Sequence, residues 1–169
     1  MKHKLMLCSG PHKEPGIMTL DVDPRCEPDI LAQLPYFPLK SIRSDWDEIY
    51  LIHGIEHFYL WDAKTLARNV YGALRDGGTF IMEQPNLEFA AKVVLGMTKA
   101  EGDLKKRCGM WALYGSPENS SEGMAHRWAY TPDTLTDLLA ECGFKRENIK
   151  RGAALSHIAD RDFRIEATK

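Results

Sequence analysis

The apolar residues of this chain fall in short runs separated by polar, glycine-containing and proline-containing stretches, a pattern that predicts strands joined by loops and helices. The runs at 5–8 and 17–20 predict two buried strands, and a very short third strand is expected near Ile30. WDEIYLI at 46–52 and TFIME at 79–83 predict two more strands. Between 24 and 38 the chain contains four prolines, which preclude a long helix there.

Helical periodicity appears between and after these strands. Leu66, Val70 and Leu74 recur every four residues and predict an amphipathic helix, with Asp62 as its N-cap and the glycine pair at 77–78 as its end. A second helix is predicted over 87–95. A third begins at Thr131-Pro132, an N-cap followed by proline at the first helical position, and ends at Gly143.

The order strand, helix, glycine pair, strand over 46–83 is that of a βαβ unit. We therefore predict an α/β fold with a doubly wound, mostly parallel, Rossmann-like sheet and helices on both faces. Two weaker apolar runs, at 149–155 and 163–167, predict strands at the C-terminal edge, one of them antiparallel. The length of 169 residues fits a single domain over 1–169. The aromatic-rich stretch without clear periodicity before Thr131 predicts a lid or insertion at 87–130.

The first two predicted strands carry the first indication of function. A strand that runs into Gly10 lets a ligand approach the backbone closely, because glycine has no Cβ. A carboxylate at the end of the next parallel strand, here Asp21, can accept hydrogen bonds from both hydroxyls of a ribose. The sequence therefore predicts a nucleoside-bearing cofactor lying across two strand ends.

Composition excludes some classes of partner. With 44% hydrophobic and 27% charged residues and a formal net charge of −2, the chain has no global attraction to nucleic acid or to an anionic membrane. Its four cysteines form no CxxC pair, so neither a disulfide framework nor a structural zinc site is expected. No run approaches a signal peptide or the roughly 20 apolar residues of a membrane span, and we predict a cytoplasmic protein. The oligomeric state is not indicated.

Several stretches in succession resemble the small class I S-adenosylmethionine (SAM)-dependent methyltransferases found in bacterial and phage genomes. They are LMLCSGPHKEPGIMTLDVDP, SDWDEIYLIHGIEHF, ALRDGGTFIMEQPN, GMWALYG and HRWAYTPDTL. In that family the first strand enters a glycine-rich turn, the second ends in an acid, and "EH" opens the helix after strand four. The resemblance covers nearly the whole chain and implies methyl transfer from SAM to an O or N atom of an acceptor.

The resemblance also implies roles for individual residues. The residues expected to bind SAM are Cys8, Ser9, Gly10, Asp21, Val22, Asp29, Ile30 and His53. The first turn departs from the family's G-x-G pattern, because Cys8 replaces the earlier glycine, and the helix that usually follows this turn is missing.

On the acceptor side, three histidines are candidate bases because imidazole titrates near neutral pH: His53, His57 and His126. Gln84, Asn86, Arg127 and Tyr130 are expected to bind the acceptor. The D/N-P-P-Y motif of enzymes that methylate the amino groups of nucleic-acid bases does not follow strand four. Methylation of a base amine is therefore disfavoured, and a nucleic-acid partner is not expected.

Three alternatives remain open at this point. His53-Gly-Ile-Glu56-His57 spells H-x-x-E-H, a zinc-peptidase motif, and would make the protein a zinc hydrolase if all five residues were helical. A domain that keeps the fold and binds SAM without catalysing a reaction is the second alternative. A nicotinamide-dependent enzyme is disfavoured because no G-x-G-x-x-G follows the first strand.

Overall fold

The first five strands form the parallel part of one twisted sheet, seen in a computed structural model that describes residues 2–98, 107–118, 122–156, 158 and 161–169. The strands are β1 (Lys4–Leu7), β2 (Ile17–Asp21), β3 (Ile30–Leu31), β4 (Trp46–Ile52), β5 (Leu74–Pro85), β6 (Ile149–Ala153) and β7 (Asp162–Thr168). Within the described residues the sheet has seven strands in the order β3-β2-β1-β4-β5-β7-β6. β7 runs antiparallel to both β5 and β6. This order confirms the predicted Rossmann-like sheet with an antiparallel strand near its C-terminal edge.

The α-helices that lie wholly within the described residues are α1 (Leu60–Ala73), α2 (Leu87–Val94), α3 (Met110–Tyr114) and α4 (Pro132–Glu141). The buried side chains of α1 and α4 join one hydrophobic cluster with inward-facing residues of the strands, among them Leu5, Ile49 and Phe80. α4 begins at a capping box, in which Thr131 and Thr134 bond reciprocally, as the Thr-Pro sequence predicted. None of the described helices has the length and apolar character needed to cross a membrane.

The connections before β4 are short. Residues 8–16 join β1 to β2 without a helix, as predicted, and the connection from β2 to β3 contains a single 3-10 turn at Pro24–Cys26. Right-handed crossovers running in opposite directions from β1 and β4 lie on opposite faces of a sheet. The face of the sheet opposite α1 is therefore covered by fewer helices over strands β1 to β3.

The predicted bounds of α1 were wrong at both ends. The helix begins at Leu60 after Tyr59, so Asp62 lies in its first turn, where Oδ1 accepts a hydrogen bond from the Tyr36 hydroxyl at 2.7 Å. It ends at Ala73, because Leu74 pairs with Trp46 as the first residue of β5. The apolar side chain of Leu74 is still buried in the core, but it reaches the core from a strand and not from a helix.

Candidate functional site

The carboxyl ends of β1, β2 and β4 lie at the same edge of the sheet, because these strands are parallel neighbours. Cys8 and Gly10 follow β1 with positive φ angles of 50° and 53°, which turn the chain sharply across this edge. At the end of β2, the Asp21 carboxylate accepts hydrogen bonds from the backbone N–H of Gly10 at 2.8 Å and of Asp23 at 2.9 Å. Two residues predicted to bind the cofactor, Gly10 and Asp21, are therefore in direct contact.

The loop between β2 and β3 is held by Asp29. Oδ2 of Asp29 accepts hydrogen bonds from the backbone N–H and the hydroxyl of Thr19, at 2.8 and 2.9 Å. Its own N–H donates to the Thr19 hydroxyl at 3.0 Å. Next to it, Ile30 pairs with Leu20 at the start of β3, while Val22 is exposed beyond the end of β2.

Replacing Asp29 by alanine should lower the free energy of unfolding by about 1–2 kcal/mol, because the polar groups of the buried Thr19 then lose their partners. Urea denaturation followed by circular dichroism measures this loss. Asp137→Ala is the matched control, since the ion pair between Asp137 and Arg146 lies at the surface. Equal stability of the two variants would contradict the assignment of Asp29 as an anchor of this loop.

His53 lies directly after β4, again with a positive φ of 49°, and its N–H donates to the Glu83 carbonyl at 2.7 Å. Nε2 of His53 is 3.0 Å from Oδ2 of Asp162, and Nδ1 is 3.2 Å from Oε1 of Glu56. Arg161 contacts the same Asp162 carboxylate through Nε and Nη2. Burial opposes the protonation of His53, but the two carboxylates outweigh it and raise its pKa to about 9. His53 is therefore a cation at neutral pH.

The two other candidate bases are close to this group. Nδ1 of His57 is 3.3 Å from the carbonyl oxygen of Ala125, and Nδ1 of His126 is 3.0 Å from that of Ala112. The two imidazole rings meet edge to face, with 5.0 Å between their centroids. Burial lowers the pKa of His126, so this ring is neutral at neutral pH.

A cavity of about 370 Å³ opens above these histidines, between the ends of β4 and β5 and the 87–130 segment. Residues from both sides form its walls: His53, Glu56, His57, Pro85, Arg107, Trp111, Ala112, Ser116, Glu118, Met124, His126 and Arg161. The structure thus brings together all three histidines predicted as bases, and it adds walls from the segment predicted to be a lid.

The four residues predicted to bind the acceptor do not line this cavity. Gln84 and Tyr130 are buried, and Asn86 caps α2 by accepting a hydrogen bond from the N–H of Glu88. The Arg127 guanidinium lies over the Tyr59 ring, with 5.1 Å to its centroid. Their contact with an acceptor stays a prediction.

Asp162 and Arg161 were missed by the sequence analysis. Asp162 is far from His53 in sequence, and DRD at 160–162 forms no recognisable motif. The available signal was the antiparallel direction of β7, because its register places Asp162 opposite Pro85 at the carboxyl end of β5. Beginning the predicted strand at 163 left Asp162 outside it.

The arrangement does not favour a zinc hydrolase with the H-x-x-E-H ligands. Residues Ile55–His57 form a single 3-10 turn, and His53 precedes it with a left-handed backbone conformation. The α-helix that would put both histidines of that motif on one metal is not formed.

No known protein-family profile matches this sequence, and no curated protein matches it either. Solved structures do match. A SAM-dependent methyltransferase from Archaeoglobus fulgidus is 14% identical with a TM-score of 0.64, and the match covers 99% of this chain and 86% of that one. The glycopeptide N-methyltransferase MtfA, solved with SAM, is 14% identical with a TM-score of 0.61, with coverages of 99% and 81%.

The apo form of the SAM-dependent methyltransferase SibL is 12% identical with a TM-score of 0.61. The match covers 99% of this chain and 50% of SibL, so this chain spans half the length of that protein. At these identities the likeness concerns the fold. The chain has the Rossmann-like fold of SAM-dependent methyltransferases.

Proposed function

We propose that this protein transfers a methyl group from SAM to an O or N atom of an acceptor bound in the cavity below the 87–130 segment. The observation that carries the proposal is the carboxylate of Asp21, placed at the end of β2 and hydrogen-bonded to the N–H of Gly10. Open α/β sheets bind their ligands at such strand ends.

The acid keeps hydrogen-bonding capacity for a ligand. Each carboxylate oxygen has about two lone-pair positions, and each oxygen of Asp21 uses one of them for a backbone N–H. Two positions remain for the two hydroxyls of the SAM ribose. The exposed side chain of Val22 and the partly buried Ile30 supply apolar contacts for the adenine, next to the second oxygen of Asp29.

The acceptor side of the proposed site begins at His53, which follows β4 and lines the cavity. The bound sulfonium supplies an already activated methyl group, so the protein's task is to align the acceptor and exclude water. As a cation held by Asp162 and Glu56, His53 orients the groups around it and is a poor proton acceptor at neutral pH. His57 and His126 are the imidazoles left for proton transfer.

Calorimetry with SAM and with S-adenosylhomocysteine tests the cofactor half. Wild type should bind both with micromolar affinity, and Asp21→Ala should bind at least about 100-fold more weakly, because two charge-assisted hydrogen bonds are lost. Asp21→Asn, which keeps one carbonyl acceptor, should lie between them. Asp137→Ala is the control, because Asp137 lies on α4 and its ion pair with Arg146 is exposed.

Equal affinity of wild type and Asp21→Ala would remove Asp21 from the site, and no binding by wild type would reject the proposal. The non-catalytic alternative needs a second measurement. Incubation with methyl-tritiated SAM and fractionated cell extract should put label into an acceptor fraction with wild type. Binding of SAM without any such transfer would favour the non-catalytic domain.

A further inference from the structure

The carboxylate of Glu56 is buried without sufficient hydrogen-bond partners. Glu56 is 2% exposed, and among the described residues its Oε2 has no hydrogen-bond partner. Oε1 lies 3.2 Å from Nδ1 of His53 and forms the ion pair described above. A buried carboxylate normally has both oxygens hydrogen-bonded or coordinates a metal ion, because a polar atom left without a partner is costly away from water.

Two imidazoles lie beside this carboxylate. One carboxylate oxygen of Glu56 and one ring nitrogen each of His57 and His126 all lie within 4.8 Å of one another. Two atoms bonded to one ion at about 2.0–2.2 Å lie at most about 4.4 Å apart, so binding would draw these ligand atoms together by a few tenths of an ångström or more.

Both imidazoles are held in a form that can coordinate a metal. A carbonyl oxygen only accepts hydrogen bonds, so Nδ1 carries the proton in His57, facing Ala125, and in His126, facing Ala112. Nε2 of each ring is then the nitrogen that offers a lone pair to a metal ion. Backbone carbonyls that fix the tautomer in this way are typical of the groups behind metal-binding histidines.

We propose that Glu56, His57 and His126 bind one divalent transition-metal ion of the Zn²⁺ type in the wall of the acceptor cavity. Two imidazoles and a carboxylate are a donor set that Zn²⁺ takes in sites with an open coordination position. All three residues line the cavity, so that position is accessible to a small molecule there. In the H-x-x-E-H motif the two histidines bind the metal and the glutamate is the general base. Here Glu56 is itself a ligand, and His126, which is 69 positions after His57, takes the place of His53.

The ion would give the two imidazoles a task different from proton transfer. A divalent ion lowers the pKa of a coordinated hydroxyl, which suits an oxygen acceptor. That task rests on the proposed methyl transfer, whereas binding of the ion does not.

Metal titration of the purified protein tests the site. After chelator treatment and dialysis, wild type should bind one Zn²⁺ per chain, and Co²⁺ should give visible d–d bands without the charge-transfer band of a thiolate ligand. Glu56→Gln, His57→Ala and His126→Ala should each weaken binding by more than about 100-fold, since even groups behind the ligands are worth 10–100-fold. His12→Ala is the control, because His12 is exposed in the β1–β2 loop.

Far less than one ion per chain, a thiolate band, or equal affinity in His126→Ala and His12→Ala would overturn the proposal. Glu56→Gln keeps the side-chain volume, and circular dichroism verifies that each variant is folded. Calorimetry with SAM on the same samples separates the two proposals. Metal binding without SAM binding would reject the proposed methyl transfer and keep the metal site. SAM binding without metal binding would reject the metal site and keep the proposed methyl transfer.

Discussion

Replacing Glu83 by alanine is expected to lower the free energy of unfolding by about 3–5 kcal/mol. Glu83 is fully buried near the end of β5, where its carboxylate accepts hydrogen bonds from the N–H groups of Leu155 and Ser156 and from Nη1 of Arg164. Alanine would leave all three donors without this acceptor and the Arg164 charge without its buried counter-ion. Urea denaturation followed by circular dichroism measures the loss.

Glu166→Ala is the matched control, because Glu166 pairs with Nε of the same Arg164 at 2.7 Å from a partly exposed position. A pair at the surface contributes about 0–1 kcal/mol, so this variant should be nearly as stable as wild type. Equal losses in the two variants would show that burial of Glu83 is not what makes its ion pair important.

The stability difference between wild type and Glu83→Ala should change with pH in one direction. Burial opposes ionisation of Glu83, but the hydrogen bonds from Leu155, Ser156 and Arg164 outweigh it and hold its pKa below the ordinary 4.5. Such a group stabilises the fold fully above its unfolded-state pKa and loses that stabilisation as the pH falls through its folded-state pKa. The stability difference between wild type and Glu83→Ala should therefore shrink below about pH 4.5. A difference that stays constant into acid would contradict this.

Replacing Gly115 by alanine is expected to release the 87–130 segment from the cavity at a cost of about 2–4 kcal/mol, the sum of backbone strain and overpacking. Gly115 ends α3 with φ of 89° and ψ of 170°, a conformation that is nearly exclusive to glycine. An added Cβ would lie 2.6 Å from the backbone oxygen of Met124, which cannot move as a side chain does. The cavity walls at Ser116 and His126 should shift with it.

Hydrogen exchange measures this release. Amides of 107–118 and 122–130 should lose protection in Gly115→Ala, while those of β4 and β5 keep it. Gly96→Ala is the control, because Gly96 also has a positive φ, 70°, but no atom lies within 4 Å of the added Cβ. The same protection in both variants would mean that the contact with Met124 does not hold the segment in place.

The sequence predicted the strands, and the placement of Gly10 and Asp21 at one edge of the sheet, because each depends on local pattern. Apolar runs defined β1, β2, β4 and β5, and the acid after the second run is Asp21, which the structure places against Gly10. The trimmed first connection was readable from its length alone. These features need only residues that are neighbours along the chain.

What the sequence did not predict depends on contacts between distant segments. Leu74 fits the helical period of α1, yet pairing with Trp46 makes it a strand residue. The partner of His53 is Asp162, which only the register of β7 brings to the end of β5. Gln84 and Asn86 are polar residues at a strand exit, but one is buried and the other caps a helix, outcomes that the tertiary environment decides.

The two ends of the 87–130 segment are fastened to each other. Asn86 and Tyr130 form a β-bridge, and the N–H of Leu87 donates to the Tyr130 carbonyl at 2.8 Å. The chain therefore leaves the sheet at Asn86 and returns beside it at Tyr130, so the strand register does not depend on the length of the segment between them. Such a segment is an exchangeable module: replacing it with one of another length or composition should change the wall of the cavity and leave the carboxyl ends of β1 and β2 unaltered.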